Sequence, residues 1–376
     1  MTFSNLFLAS SFFALMPTLP LYMRNVFGFD NSQIGMVIAV FSIAGLLVRP
    51  FAGYLLDSLP RFAVFMTAFV LISALYGAYA LAGGMIGLIC VRLLHGGTWA
   101  TVTTATSTMV VDILPVQRRG EGIGIFALAF PLATAIGPVI GLAIMAQWGS
   151  TVLFVALSLI SFVGLGVGVM TRGAPSPEKP RPFRIADLLL KKALPVSITM
   201  LFLTFPYGGA LVFASLYAAE KDLGSSGPFF VVFSVCLILA RVLFGRGFDR
   251  GQIRGPVVGA MALFAAGLFW LSFVGNAWQF AMAGGMIGFG FGIIMPLLQT
   301  MANSVAKPNE RGAANSTFFI SFDLGIGVGS YITGFWAKQT SLENVYLFSW
   351  SFIVLGLAVF LLWAYPYWRR LRPQVG

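Results

Sequence analysis

The amino-acid sequence predicts an all-α integral membrane protein: twelve transmembrane helices in two pseudo-symmetric six-helix halves, with both termini cytoplasmic. Composition is the first reason. Of 376 residues, 58% are hydrophobic and 9% charged, with a mean hydropathy of +0.90, whereas soluble domains carry roughly 25% charged residues. The second is the recurrence of apolar runs near 20 residues, each able to cross a hydrocarbon core of about 30 Å as a helix. A transmembrane β-barrel would instead alternate over segments of about ten residues. The third is a repeat at a displacement of 192 residues.

Charge, Pro and Gly punctuate the chain into spans near 3–23, 33–55, 62–82, 86–110, 122–147, 151–170, 194–217, 228–247, 255–275, 278–304, 313–337 and 344–366. The first has no basic segment before it and eleven spans follow, so it reads as a retained helix rather than a signal peptide. An even number of spans places both termini on one side. If that side is cytoplasmic, seventeen of the 23 Lys and Arg fall in inner loops and the C-terminal tail, and only Arg24, Lys221 and Lys338 in outer loops. Arg49, Arg92 and Arg241 lie within spans. This asymmetry orients the protein by the positive-inside rule, and the net charge of +11 needs no nucleic-acid partner. Cys90 and Cys236 fall inside spans of different halves without ligand spacing, and read as small apolar fillers rather than a disulfide or metal site.

The segment 172–192, rich in Pro and basic residues, reads as a cytoplasmic linker between a six-helix bundle at 1–171 and a second at 193–376. The bundles repeat each other. Arg49-x-x-x-Gly53-x-x-x-Asp57 closes span two and Arg241-x-x-x-Gly245-x-x-x-Asp249 closes span eight. "RGEGIGIFALAFPLATAIG" from Arg119 aligns at the same displacement with "RGAANSTFFISFDLGIGVG" from Arg311. A parallel duplication of six-helix units is the plan of a transporter whose halves rock about a midplane site. Residues spaced by four share one helix face, so Arg49, Gly53 and Asp57 form a stripe, with close backbone approach expected at Gly53.

"GYLLDSLPRF" resembles the loop motif G-x-L-x-D-x-x-G-R-R/K of the major facilitator superfamily. Gly53, Leu55, Asp57 and Arg61 match; Pro60 and Phe62 depart from it. The resemblance implies a charge network latching the cytoplasmic side, with Asp112, Arg118 and Arg119 as partners and Arg241, Gly245 and Asp249 as the repeat counterpart. Direct substrate contact by these residues is the alternative. "RLLHGGTWA" resembles that family's R-x-x-Q-G motif, with Arg92, Gly96 and Ala100 matching and His95 in place of Gln. In proton-driven drug exporters the Arg is associated with proton transfer; a neutral, hydrogen-bonded His95 is the alternative to a titrating one. "GIFALAFPLATAIGPVIG" resembles the family's antiporter motif at Gly124, Gly137, Pro138 and Gly141, with Ala133 and Leu142 replacing two glycines, and a packing face accounts for the same residues.

Asp323 in "SFDLGIGVG" lies twelve residues from Arg311 and fifteen from Lys338, about 18 Å deep at 1.5 Å per residue. An ionised Asp there costs on the order of 3 kcal/mol. Its repeat mate is Pro131, which cannot titrate. Two readings stand: a proton-coupling carboxyl, or a hydrogen-bond acceptor in a packing face beside Gly325, Gly327 and Gly329. Trp99, Thr103, Tyr207, Gln299 and Asn303 are cavity candidates, although Thr hydroxyls can bond their own helix.

No Walker motif, nucleophile–base pair or metal-ligand cluster appears, so neither an enzyme nor a cofactor is expected. The resemblance implies a secondary transporter of the inner membrane of a bacterium, a monomer exchanging protons for a small organic molecule during efflux. Asp323 is the preferred coupling group, with Arg92 and His95 as partners. Uptake of an organic anion or zwitterion is the alternative, and a receptor or lipid transporter on the same scaffold a third.

Overall fold

The computed structural model describes residues 1–114, 122, 125–126, 128–171, 189–244, 253–306 and 311–371; of Asp57, Val111, Asp112 and Arg311 it describes the backbone alone. The linker at 172–188 and Arg118, Arg119, Gly124, Gly245 and Asp249 therefore lie outside the described residues.

Helices make up nearly all of the described chain. In order they are α1 (Thr2–Phe27), α2 (Asn31–Ser58), α3 (Arg61–Ala78), α4 (Met85–Ile113), α5 (Ala129–Val169), α6 (Leu194–Glu220), α7 (Gly227–Phe244), α8 (Arg254–Leu271), α9 (Ala277–Ser304), α10 (Arg311–Gln339), α11 (Leu342–Val359) and the short α12 (Tyr365–Leu371). A 3-10 turn, Tyr79–Leu81, follows α3, and a π-turn, Phe360–Ala364, joins α11 to α12.

Among the described residues eleven helices are long and apolar enough to cross a membrane, against twelve spans read from the sequence. The difference is α5. Its 41 residues would run about 60 Å at 1.5 Å per residue, twice a hydrocarbon core. Gly149 interrupts it at φ 81 and ψ 179, backbone that only glycine adopts without strain. Spans five and six are thus joined through a single non-helical residue.

The chain divides into two compact units. One holds Met1–Phe29 and Val40–Phe183; the other holds Asp30–Ala39 with Arg184–Gly376. In the first, α1 packs along α5 and α3 along α4 and α5; in the second, α7 and α8 pack on α9, and α6 on α10 and α11. Small residues allow these contacts. A Cβ on Gly137 of α5 would lie 2.7 Å from the Ser10 carbonyl oxygen of α1, and one on Gly329 of α10 2.0 Å from that of Phe205 of α6. The glycine face expected around Asp323 is therefore present at Gly329, and at Gly325, where a Cβ would meet the Thr204 hydroxyl.

Asp30 caps α2 reciprocally: its Oδ1 accepts from the Gln33 amide at 2.9 Å and its own amide donates to Gln33 Oε1 at 3.0 Å, the arrangement of a capping box. Its other carboxylate oxygen pairs with Lys338 Nζ at 2.9 Å. Lys221 and Glu343 form a second ion pair. Burial pushes the Asp30 carboxyl up, but the Gln33 amide and Lys338 outweigh it and hold it below its usual range.

Candidate functional site

A polar cluster sits inside the first unit. Arg92 and His95 lie one helical turn apart on α4, with Arg92 only 4% exposed and His95 wholly buried. The 3-10 turn after α3 delivers Tyr79 onto them. Its hydroxyl lies 2.9 Å from His95 Nδ1 and accepts from Arg92 Nη1 at 3.4 Å. The guanidinium of Arg92 stands 4.5 Å from the centre of the Phe41 ring of α2. Phe41 and Tyr76 pack against the imidazole nearly at right angles, at 5.4 and 4.7 Å between ring centres. Arg92 Nε, His95 Nε2 and the Tyr76 hydroxyl are buried without hydrogen-bond partners.

Among the described residues no carboxylate pairs with Arg92. A cation at the centre of a membrane helix costs roughly 3 kcal/mol on insertion scales, an upper bound for Arg92 in the second turn of α4, and a desolvated cation–π contact returns about 2 kcal/mol. The Arg is nearly offset, not stabilising.

Beside this cluster Trp99, one turn further along α4, stacks on Phe12 of α1 at 4.2 Å and 22°. The second unit holds an equivalent pair: Tyr207 of α6 stacks on Phe291 of α9 at 3.9 Å and 10°. Trp99 and Phe291 are 192 residues apart, Phe12 and Tyr207 195, the same displacement that relates the close carbonyls of Ser10 and Phe205. Both cavity candidates are thus buried stacking residues. Thr103 spends its hydroxyl on the Trp99 carbonyl at 2.7 Å, as do its neighbours Thr101, Thr104 and Thr106 on their own helix. Gln299 and Asn303 converge on Asn315 of α10, whose Oδ1 accepts from Gln299 Nε2 at 3.3 Å and from Asn303 Nδ2 at 2.9 Å.

Asp323 lies on α10, half-buried in the second unit. Its neighbour Phe322 is 6.3 Å from Phe291 of the aromatic stack. Of the residues expected at a cytoplasmic latch, Arg49 and Arg61 are half-buried, and Arg61 Nε donates to the Leu56 carbonyl at 3.2 Å. Nothing described lies within 4 Å of a Cβ built on Gly53, so the close approach expected there is not among the described contacts. Arg241 reaches Met295 Sδ at 3.6 Å. The side chains of Asp57 and Asp112, and Arg118, Gly245 and Asp249 entirely, lie outside the described residues.

Sequence reasoning missed Tyr76 and Tyr79. Tyrosines at helical spacing in an apolar run look like core, and the signal available was their repeat mates, Leu268 and Leu271.

A sequence model of the Major Facilitator Superfamily matches residues 1–330 and 229–375. The chain belongs to the major facilitator superfamily. It is similar to the staphylopine export protein of Staphylococcus aureus, 20% identical over 92% of this chain and 89% of that one. It is also similar to the uncharacterised MFS-type transporter YhhS of Escherichia coli K12, 27% identical over 90% of this chain and 85% of that one. Among solved structures, a bacterial homologue of the human lysosomal transporter Spinster matches with a TM-score of 0.76, 15% identity and 100% and 97% of the two chains covered. A peptide transporter in complex with sulfate matches with 0.81, 16% identity and 98% and 94% covered. At these identities the structures speak for the fold. The superfamily is one of multi-pass membrane transporters, not enzymes, and expects a small-molecule substrate within a bilayer.

Proposed function

We propose that the protein exports a small organic molecule by alternating access, driven by inward proton flow across the inner membrane of a bacterium. The observation that carries the reading is a set of polar groups within the membrane-spanning bundles: buried Arg92 and His95 on α4 with Tyr79 on the turn after α3 in one unit, and half-buried Asp323 on α10 in the other. Such groups are costly in a membrane and mark ion or substrate pathways. Asp323 is the proton carrier, because a carboxyl changes charge when hydration or partners change; Arg92 and His95 are its functional partners. The chain crosses twelve times, the two arms of α5 on either side of Gly149 counting separately, with both termini cytoplasmic. The working molecule is a monomer of two bundles, 1–171 and 193–376, joined by 172–192, and Arg49, Gly53, Asp57, Arg61, Asp112, Arg118, Arg241, Gly245 and Asp249 latch its cytoplasmic face. Export is supported by the similarity to the staphylococcal export protein and by the partial antiporter motif.

Uptake of an organic anion or zwitterion is the second reading, favoured by Arg92 being buried without a carboxylate partner among the described residues. Vesicles decide between them. Export expects substrate accumulation in inside-out vesicles against an imposed proton gradient; accumulation confined to right-side-out vesicles overturns it.

A further inference from the structure

The second copy of the repeat gives a reference for the polar cluster. A Cβ on Gly96 of α4 would lie 2.2 Å from the Phe41 carbonyl oxygen; at Gly288 of α9, 192 residues on, it would lie 2.1 Å from that of Phe233, the mate of Phe41. The helix frame is the same in both units. Within it the positions of Tyr76, Tyr79, Arg92 and His95 are taken by Leu268, Leu271, Gly284 and Ile287, all buried. The fold therefore packs this place without polar groups, and the first unit carries them for another reason.

The hydrogen bonds say what the group does. Tyr79 has one hydroxyl hydrogen, and Arg92 already donates to its oxygen. If that hydrogen goes to His95 Nδ1, the imidazole carries its proton on Nε2, and Nε2–H is the one group left unpaired in the Tyr79–His95 pair. If instead Nδ1–H donates to Tyr79, the hydroxyl hydrogen has no acceptor and the Nε2 lone pair is unpaired as well. Two buried orphans are worse than one. The groups facing His95 are Tyr79 from the 3-10 turn, Tyr76 from α3, Phe41 from α2 and Arg92 from its own helix, with no carboxylate among the described residues.

We propose that Tyr79 is a positioning residue: held by Arg92, its hydroxyl caps His95 Nδ1, fixes the Nε2–H tautomer and makes His95 a hydrogen-bond donor rather than a proton carrier. The inference rests on the transport reading above and sharpens it. With Nδ1 capped, a second proton has no lone pair to join unless Tyr79 turns away, so of the coupling groups proposed above His95 is not the proton carrier. Arg92 and Nε2–H then offer only donors, which suits a substrate carrying a carboxylate or carbonyl oxygen.

His95 is the only histidine in the chain, so protein labelled with 15N-histidine yields one imidazole. Wild type is expected to show a protonated Nε2 and an unprotonated Nδ1 that hold across about pH 5 to 8, where a free imidazole titrates. Tyr79→Phe should lose this fixed tautomer, so that the two ring nitrogens show shifts averaged between the Nδ1–H and Nε2–H forms. Tyr79→Leu, which copies Leu271, serves equally where the Phe variant does not fold. An Nδ1–H tautomer in wild type overturns the proposal, as does a variant whose two ring nitrogens keep the wild-type shifts. The spectra need no transport, so a failed flux assay with the expected spectra would count against the transport reading and not against the positioning role.

Discussion

The two copies of the repeat share a frame and differ in what fills it. Gly96 and Gly288 admit the same carbonyl at the same depth, and Phe12–Trp99 and Tyr207–Phe291 stack at equivalent places. Yet the first copy buries a guanidinium, an imidazole and two phenols where the second buries two leucines, a glycine and an isoleucine. The carboxyl runs the other way: Asp323 is in the second copy, opposite Pro131. On the reading proposed above, duplication has been resolved into a unit that supplies fixed donors and a unit that supplies the carboxyl. The second copy packs this place with apolar residues alone, so the polar groups of the first copy are not required by the shared frame.

The largest test of this division is Asp323→Asn. It removes the ionisable carboxyl and keeps the size and one acceptor oxygen, so proton-driven flux in vesicles should fall to background while substrate binding survives. Undiminished flux would leave Asp323 a packing residue beside Gly325 and Gly329. The shared frame is tested by Gly96→Ala and Gly288→Ala. Each Cβ would press on a carbonyl oxygen at 2.2 or 2.1 Å, so both variants should lose about 1–3 kcal/mol, read as similar drops in thermal stability. Tolerance of one and not the other would break the equivalence.

Much of this was legible in the sequence. Charge asymmetry and apolar run length set the spans, and Arg49 with Arg241 and Gly137 with Gly329 revealed the repeat. Arg92 and His95 stood out because charge and imidazole are rare in apolar runs. Tyr79 did not, since its role depends on a 3-10 turn that swings one hydroxyl over a neighbouring helix, and spacing carries no record of that. The junction at Gly149 was hidden for a related reason: one residue with positive φ redirects a 41-residue helix, while composition registers only a short gap between two runs.

Arg92→Met sharpens the contrast by separating stability from function. A Met of similar length removes a buried cation whose membrane cost, roughly 3 kcal/mol, slightly exceeds the about 2 kcal/mol its ring contact returns. Thermal stability should therefore hold or rise by up to about 1 kcal/mol, and transport should fall. A marked loss of stability would mean that the first copy needs its polar filling to fold, and the comparison with the apolar second copy would fail.

The smallest effect is expected at the α1–α2 turn. Asp30 caps α2 and pairs with Lys338, whereas its repeat mate Asp222 sits at φ 54 and the Gly227 amide of the corresponding turn bonds Ser225 instead. The Asp30 carboxyl is held below its usual value, so protonation disfavours the native arrangement. Its contribution is fully present above the ordinary carboxyl pKa of about 3.9 and is lost as pH falls through the lower native value. Asp30→Asn keeps an acceptor for the Gln33 amide but loses the ion pair. The variant should be slightly less stable at neutral pH, with the gap to wild type closing below about pH 4, as followed by thermal unfolding across that range. Both side chains of the pair are more than a third exposed, and water screens them, which is why this change should be the least of the four. A gap that persists unchanged in acid would assign the loss to the cap, making the helix start rather than the Lys338 contact the feature that distinguishes this turn from its counterpart.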